Sequence, residues 1–408
     1  MTRPRFCPLS LATAAVIVCG LTGWPAGEAH GCTTLIVSPS GSAHGGPMLW
    51  KNRDTNFLDN RVIYVEEAPY SYLGLINAED TSGRWVYAGC NSVGFAIINT
   101  VAYNLPQIPE ETKDLEGLVM ATALRSCRTV DDFQAFLDGN LGVNLGCWTN
   151  FGVMDAEGGA ALFETHNHGY EWLDAAAAPA GYLVNTNFSR SGEDGTGSGY
   201  LRFERASRLV EAAAQDGLEP AYILQVVARD LCHGLLDYPS LPELATLSGA
   251  EPHWLMTRDT INRSKTAAAA VFVGRQPGSA GPLTTFWVIL GEPVCSIAVP
   301  LWVEAGESPA LLHAGEAAPI CAEAAALKAA SRAGQESDMI DYLDVTRLDN
   351  REGTGFFPEL LAKEQEIMAA TASFLERERT PAELRDFQAR MAAEALAVLQ
   401  DQNSILSK

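Results

Sequence analysis

Positive charge is scarce in this chain: 28 lysines and arginines face 50 aspartates and glutamates, for a net charge of −22. A surface this acidic repels phosphates and argues against a nucleic-acid partner. No two cysteines stand in a CxxC spacing, which speaks against a structural zinc site. After residue 31 no run of 18 uncharged apolar residues occurs, so no membrane span is expected there. A serine nucleophile has no G-x-S-x-G elbow to start from. The Ser/Gly-rich residues 189–199 lack the Gly-Lys-Ser/Thr ending of a phosphate loop and read instead as a mobile flap. His166 and His168 stand two apart in an apparent turn without a third ligand nearby, so neither a metal nor an organic cofactor is expected.

What is present begins at the amino terminus. Arg3 and Arg5 precede an apolar run over residues 9–21 and a Pro/Gly-containing segment that ends Ala29-His30-Gly31, the pattern of a secretory signal cut before Cys32. Such a cut gives Cys32 a free α-amine. A thiol of reference pKa ~8.5 beside an α-amine of ~7.7–8 can pass its proton to its own residue at little cost near neutral pH. No separate base is needed, and the expected compartment is secreted or periplasmic.

Removing residues 1–31 takes the charge to −23 and leaves 377 residues, enough for one large domain or two. Besides Cys32 these hold Cys90, Cys127, Cys147, Cys232, Cys295 and Cys321, which permit three disulfides in an oxidising compartment or six buried thiols. Residues 33–38 read as a buried β-branched strand, and residues 48–51 and 61–65 as strands flanking Asn52-Arg53-Asp54. Residues 85–88 and 94–99 read as a hairpin around Gly89-Cys90-Asn91, and residues 115–137 have helical spacing broken near Arg128-Thr129. Strands return at 150–154, 160–164 and 181–184. Helices are expected at 201–214 and 220–233, strands at 266–273, 284–290 and 294–301, and amphipathic helices at 357–375 and 381–399. Runs of strands followed by runs of helices imply an α+β fold of antiparallel sheets with helices on their faces.

Four short motifs in order carry a resemblance: Cys32-Thr33-Thr34, Lys51-Asn52-Arg53-Asp54, Gly89-Cys90-Asn91-Ser92-Val93-Gly94-Phe95-Ala96 and Val184-Asn185-Thr186-Asn187-Phe188. Together they resemble the N-terminal-nucleophile (Ntn) amidases of the choloylglycine hydrolase and isopenicillin-N acyltransferase group, over residues 32–209 and more weakly to 303. The resemblance implies a four-layer αββα Ntn-hydrolase sandwich with the cysteine opening a central strand. It also implies a catalytic domain over 32–303 and a helical C-terminal extension, 304–408, packing on it. Asp54 matches the carboxylate that holds the amine of the nucleophile. Lys51 stands where the family usually has arginine, with Arg53 as the alternative, and both are candidates for binding substrate. Asn99 and Asn187 match oxyanion donors, Asn187 through its side-chain amide. Arg202 matches an arginine near the nucleophile, with Arg205 three residues on as its rival.

The expected function is a secreted cysteine amidase that hydrolyses a linear, small-molecule amide through a thioester. Acyl transfer to an amine and a dipeptidase are alternatives within the group, and an envelope lipoprotein acylated on Cys32 is the alternative outside it. Self-association of the chain is left open.

Overall fold

The computed structural model describes residues 31–407 apart from 81, 109, 110, 112, 280 and 335–338. The signal-like residues 1–30 lie outside the described residues. In chain order the first strands are β1 (Cys32–Val37), β2 (Met48–Asp54), β3 (Asn60–Val65), β4 (Tyr72–Asn77), β5 (Ala88–Asn91) and β6 (Ala96–Val101). Helices α1 (Glu116–Ser126) and α2 (Val130–Asn140) precede β7 (Trp148–Met154), β8 (Ala160–His166), β9 (Gly169–Asp174) and β10 (Tyr182–Asn185). Helix α3 (Tyr200–Ala213) leads to β11 (Trp254–Met256), β12 (Thr266–Gly274), β13 (Thr284–Leu290) and β14 (Val299–Leu301). Then come α4 (Pro319–Ser331), β15 (Tyr342–Asp344), α5 (Phe357–Phe374) and α6 (Pro381–Leu406).

Two antiparallel sheets form the centre. One has the order β10-β1-β2-β12-β13-β14 and the other runs β3 to β9 in sequence. The inner faces meet where β1 packs on β6, β7 and β8, and β2 on β6 and β7. All residues of β1 and β2 are buried, as expected of central strands covered on both faces. Outside the seven-stranded sheet lie α1 and α2, where Phe133 of α2 meets Phe151 and Phe163 edge-on at 5.5 and 5.2 Å. Outside the six-stranded sheet, α3 packs on β1 and β10, and α4, α5 and α6 on β13 and β14. The α+β sandwich is therefore four layers deep.

Several local expectations change. Gly89-Cys90-Asn91 lies within β5, and the turn is at residues 92–95, where Gly94 adopts φ +85°. Asn52-Arg53-Asp54 is the end of β2 and no linker, because β12 pairs with it on the other side. Strands β4, β9, β11 and β15 and helix α4 are added. The helix expected over 220–233 ends at Val227 after a π-turn, and the strand expected over 294–301 is a 3₁₀ turn followed by β14. All seven cysteines from Cys32 onward are free, so the disulfide alternative gives way to free thiols, buried except at the half-buried Cys232. The stretch over 189–199 is anchored: the Glu164 carboxylate accepts the N–H groups of Arg190 and Ser191 at 2.6 and 2.7 Å, and Asn104 holds Ser189.

Candidate active site

Cys32 opens β1 and is paired with Arg53 of β2, so the hairpin β1–β2 brings Lys51, Arg53 and Asp54 beside the thiol. Strand β10, on the other side of β1, runs directly into Thr186-Asn187. Topology thus supplies Asn187 although it is 155 residues away.

The backbone of residue 32 is gripped at both ends. Its N–H donates to Asn187 Oδ1 at 3.0 Å, and its carbonyl oxygen accepts from Arg202 Nη1 at 2.7 Å. Arg202 also donates to Thr33 Oγ1 (2.9 Å) and, through Nη2, to Asn187 Oδ1 (2.8 Å). Two donors on Oδ1 fix which way the Asn187 amide faces. Its Nδ2 donates to the Val101 carbonyl at 2.9 Å, so in this geometry it does not face the carbonyl pocket as an oxyanion donor. Arg202 comes from the first turn of α3, whose preceding Gly199 has φ +81°; a side chain there would meet Arg202 Nη2 at 2.6 Å. Arg205 turns away to pair with Asp230 at 2.7 Å, which settles the choice between the two arginines.

Asp54 does not receive the Cys32 N–H. Its Oδ1 accepts from Thr266 Oγ1 and its Oδ2 from Arg263 Nε, both at 2.7 Å, with Arg202 Nη1 at 4.0 Å. Arg263 was not singled out from the sequence. Its segment, Asn262 to Thr266, carries no motif, and its place depends on β12 pairing with β2 more than 200 residues upstream. The loop is braced from behind by Glu292, which takes Asn262 Nδ2 at 2.9 Å and pairs with Arg332 at the end of α4. Arg263 Nη2 is buried without a hydrogen-bond partner and, with Arg202 Nη2, stands against Gly31, where any Cβ would collide. Burial and the neighbouring Arg263 pull the Arg202 guanidinium down to about 10, opposed by Asp54.

The other side of Cys32 opens into a cavity of about 100 Å³ lined by Lys51, Arg53, Phe57, Tyr87, Asn99 and Glu116, among others. Lys51 is buried, and its Nζ donates to the Tyr87 carbonyl (2.8 Å) and to Asn99 Oδ1 (2.6 Å). Burial pulls its ammonium down to about 8, against the pull of Cys32 and Asp54. Because Lys51 takes the Asn99 oxygen, the Asn99 amide nitrogen is left with one long contact, Thr149 Oγ1 at 3.4 Å. Arg53 spends its guanidinium on Asn60 and on Asn77 Oδ1 (2.7 Å) and lies 4.0 Å over the Tyr87 ring. It lines the cavity as a wall.

The remaining cysteines differ from Cys32. Burial pushes Cys127, Cys232 and Cys321 up to about 11 and raises Cys90, Cys147 and Cys295 as well, so they stay protonated. None of them lines this cavity. Among the described residues no three potential ligands gather for a metal ion.

No family model matches the sequence, and no curated protein matches it. Among solved structures the chain is similar to an N-acylethanolamine-hydrolyzing acid amidase ortholog of Caenorhabditis elegans, with 12% identity, a TM-score of 0.40 and coverage of 59% of this chain and 92% of that one. It is also similar to a variant of the conjugated bile acid hydrolase from Clostridium perfringens, at 12% identity and TM-score 0.37 over 64% and 89% of the two chains. A penicillin V acylase from Agrobacterium tumefaciens is matched at 13% identity and TM-score 0.34, over 62% and 90%.

Proposed function

We propose that this protein is an exported cysteine amidase that hydrolyses a linear amide through a thioester on Cys32, after removal of residues 1–31. The observation that carries the reading is the grip on both backbone ends of residue 32 by Asn187 and Arg202, beside a cavity that the same residue lines. Any buried backbone N–H and C=O needs a partner, but here both partners are side chains from distant elements that also bond each other. That arrangement suits a reacting amine, whose one lone pair has to stay on the thiol.

In the described chain Gly31 is attached and the Cys32 nitrogen is a peptide amide. Cleavage after Gly31 turns it into an α-amine at the same place, with Asn187 Oδ1 taking one N–H. The thiol proton passes to this amine, and the sulfur attacks the substrate carbonyl carbon, forming a C–S bond and an oxyanion. Asn99 Nδ2 is the available donor for that oxygen, its orientation fixed by Lys51. The C–N bond then breaks, the leaving nitrogen takes the proton from the α-ammonium, and a thioester remains. Water adds with the amine as base, the C–S bond breaks, and the thiol is restored. Asp54 balances the charge of Arg263 and holds it beside the amine.

A lipoprotein reading would need the Cys32 sulfur to carry acyl chains outward, yet residue 32 is only 8% exposed between the two sheets. This favours the enzyme. The test is to express the whole chain, establish the mature amino terminus by intact mass, and assay a panel of N-acyl amides for released amine. Amine release that disappears in Cys32→Ala is expected. A mature chain bearing acyl mass, or full release by Cys32→Ala, would overturn the reading.

A further inference from the structure

The cavity beside Cys32 holds two carboxylates that the mechanism does not use, Asp114 and Glu116. Glu116 is the first residue of α1 and is buried. Its Oε1 accepts the Trp148 N–H at 3.2 Å, while Oε2 is buried without a hydrogen-bond partner. Among the described residues that line the cavity it is the one buried polar atom in that state. Asp114 stands at the exposed rim and is the only described residue other than glycine with positive φ, at 44°. Strain of this kind gathers at functional sites.

Neighbouring carboxylates with no donor between them are reconciled by a proton or by a cation. Burial, and then the neighbouring Asp114, push the Glu116 carboxyl well above the usual carboxylate range. The cavity's own cations give their hydrogen bonds to other groups: Lys51, which also feels the Glu116 charge, to Tyr87 and Asn99, and Arg53 to Asn60 and Asn77. A group that brings its own N–H donors and positive charge satisfies both carboxylates.

The cavity also lies on a definite side of the reaction. The leaving nitrogen has to meet the Cys32 amine on the flank of Asn187, Arg202 and Arg263, none of which lines the cavity, and removal of Gly31 vacates the space against the two guanidinium groups for the leaving group. The open side therefore receives the acyl group. At about 100 Å³ it is well below the roughly 300–1,000 Å³ of pockets that enclose drug-sized ligands, so the acyl group is short.

We infer that the acyl half of the substrate is a short chain ending in a protonated amine, seated between Asp114 and Glu116. The inference rests on the amidase reading for the reaction, and on these two residues alone for the selectivity.

The experiment compares glycyl-4-nitroanilide with propionyl-4-nitroanilide, which match in size and differ by an ammonium for a methyl, at pH 6.5 where the α-amine is charged. The whole mature protein is expected to favour the glycyl compound in kcat/KM by roughly 10- to 100-fold, as befits a charge-assisted hydrogen bond. Asp114→Asn and Glu116→Gln are each expected to bring that ratio towards one. Loss of the buried Glu116 can disturb folding, so Asp114→Asn at the rim carries the test. Equal or better turnover of the propionyl compound, or a ratio unmoved in Asp114→Asn, overturns the inference. If neither anilide is cleaved, calorimetric titration of Cys32→Ala with glycinamide and propionamide decides. Selective glycinamide binding that Asp114→Asn abolishes upholds the ammonium site independently of the amidase reading, and absence of selective binding overturns the site.

Discussion

The two flanks of Cys32 differ in how much of their hydrogen-bonding capacity is already committed. On the amine flank Asn187, Arg202 and Arg263 bond mainly to one another, to the backbone of residue 32 and to Asp54, which also reaches the cavity wall, with Arg263 Nη2 against Gly31 as the exception. On the cavity flank Asn99 Nδ2 and Glu116 Oε2 keep capacity in hand. A flank whose groups satisfy each other fixes geometry, and a flank with spare donors and acceptors has something to offer a ligand. The two should respond differently to mutation.

The largest effect is expected at the residue both flanks share. Cys32→Ala should fold, with unchanged thermal unfolding, and lose amide hydrolysis by several orders of magnitude; Cys32→Ser should be nearly as inactive, since the hydroxyl is the weaker nucleophile. Blocking the amine alone should match this loss. A protein with an uncleaved extension ahead of Cys32, verified by intact mass, keeps its thiol and is expected to be inactive, and full activity there would mean that another group is the base.

Next comes a direct contrast between the flanks. Asn99→Ala should lower kcat by ~10²–10³ with KM almost unmoved, as for a lost oxyanion donor. Asn187→Ala removes the shared acceptor of Cys32 and Arg202, so it should lower the unfolding temperature together with kcat/KM. If Asn187→Ala shows the pure kcat loss and Asn99→Ala the instability, the two roles are reversed.

Lys51 ties the cavity flank to pH. In the folded protein its ammonium titrates at about 8 in place of 10.5, because burial disfavours the charge. The charged form, which donates to Asn99 Oδ1, is therefore present below about pH 8 and lost above it. kcat/KM should fall on that alkaline side, roughly tenfold per pH unit once past the limb. Lys51→Met should be less active throughout and lack this limb; a limb that persists in the variant belongs to another group.

How far the sequence foretold these flanks follows from chain separation. Cys32, Lys51, Arg53 and Asp54 were legible together because one hairpin joins them, Asn187 because it stands in a short motif, and Arg202 from the family resemblance. Helices α5 and α6 were legible from periodicity, and a capping box at Thr380 and Glu383 starts α6. Arg263 was not, since only the crossover that sets β12 beside β2 brings it to Asp54. Nor was the direction of the Asn187 amide, which depends on two donors from other elements. Glu116 was hidden in a helix start where an acidic residue is ordinarily explained by the helix dipole.

Arg53 marks the boundary between the flanks and should have the smallest effect on activity. As a candidate for binding substrate it would have donors to spare, but both terminal nitrogens are engaged, with Asn60 and with Asn77, and its plane covers Tyr87. Replacing it by methionine keeps much of the apolar contact and leaves two buried amide oxygens short of a donor, a loss of about 1–3 kcal/mol for each unsatisfied group. Arg53→Met should therefore unfold at lower denaturant concentration while KM for an amide substrate changes less than about threefold, because one lost substrate contact of about 1.4 kcal/mol would already give tenfold. A large rise in KM with stability intact would place a substrate group on this guanidinium and move Arg53 from the wall of the cavity to its binding surface.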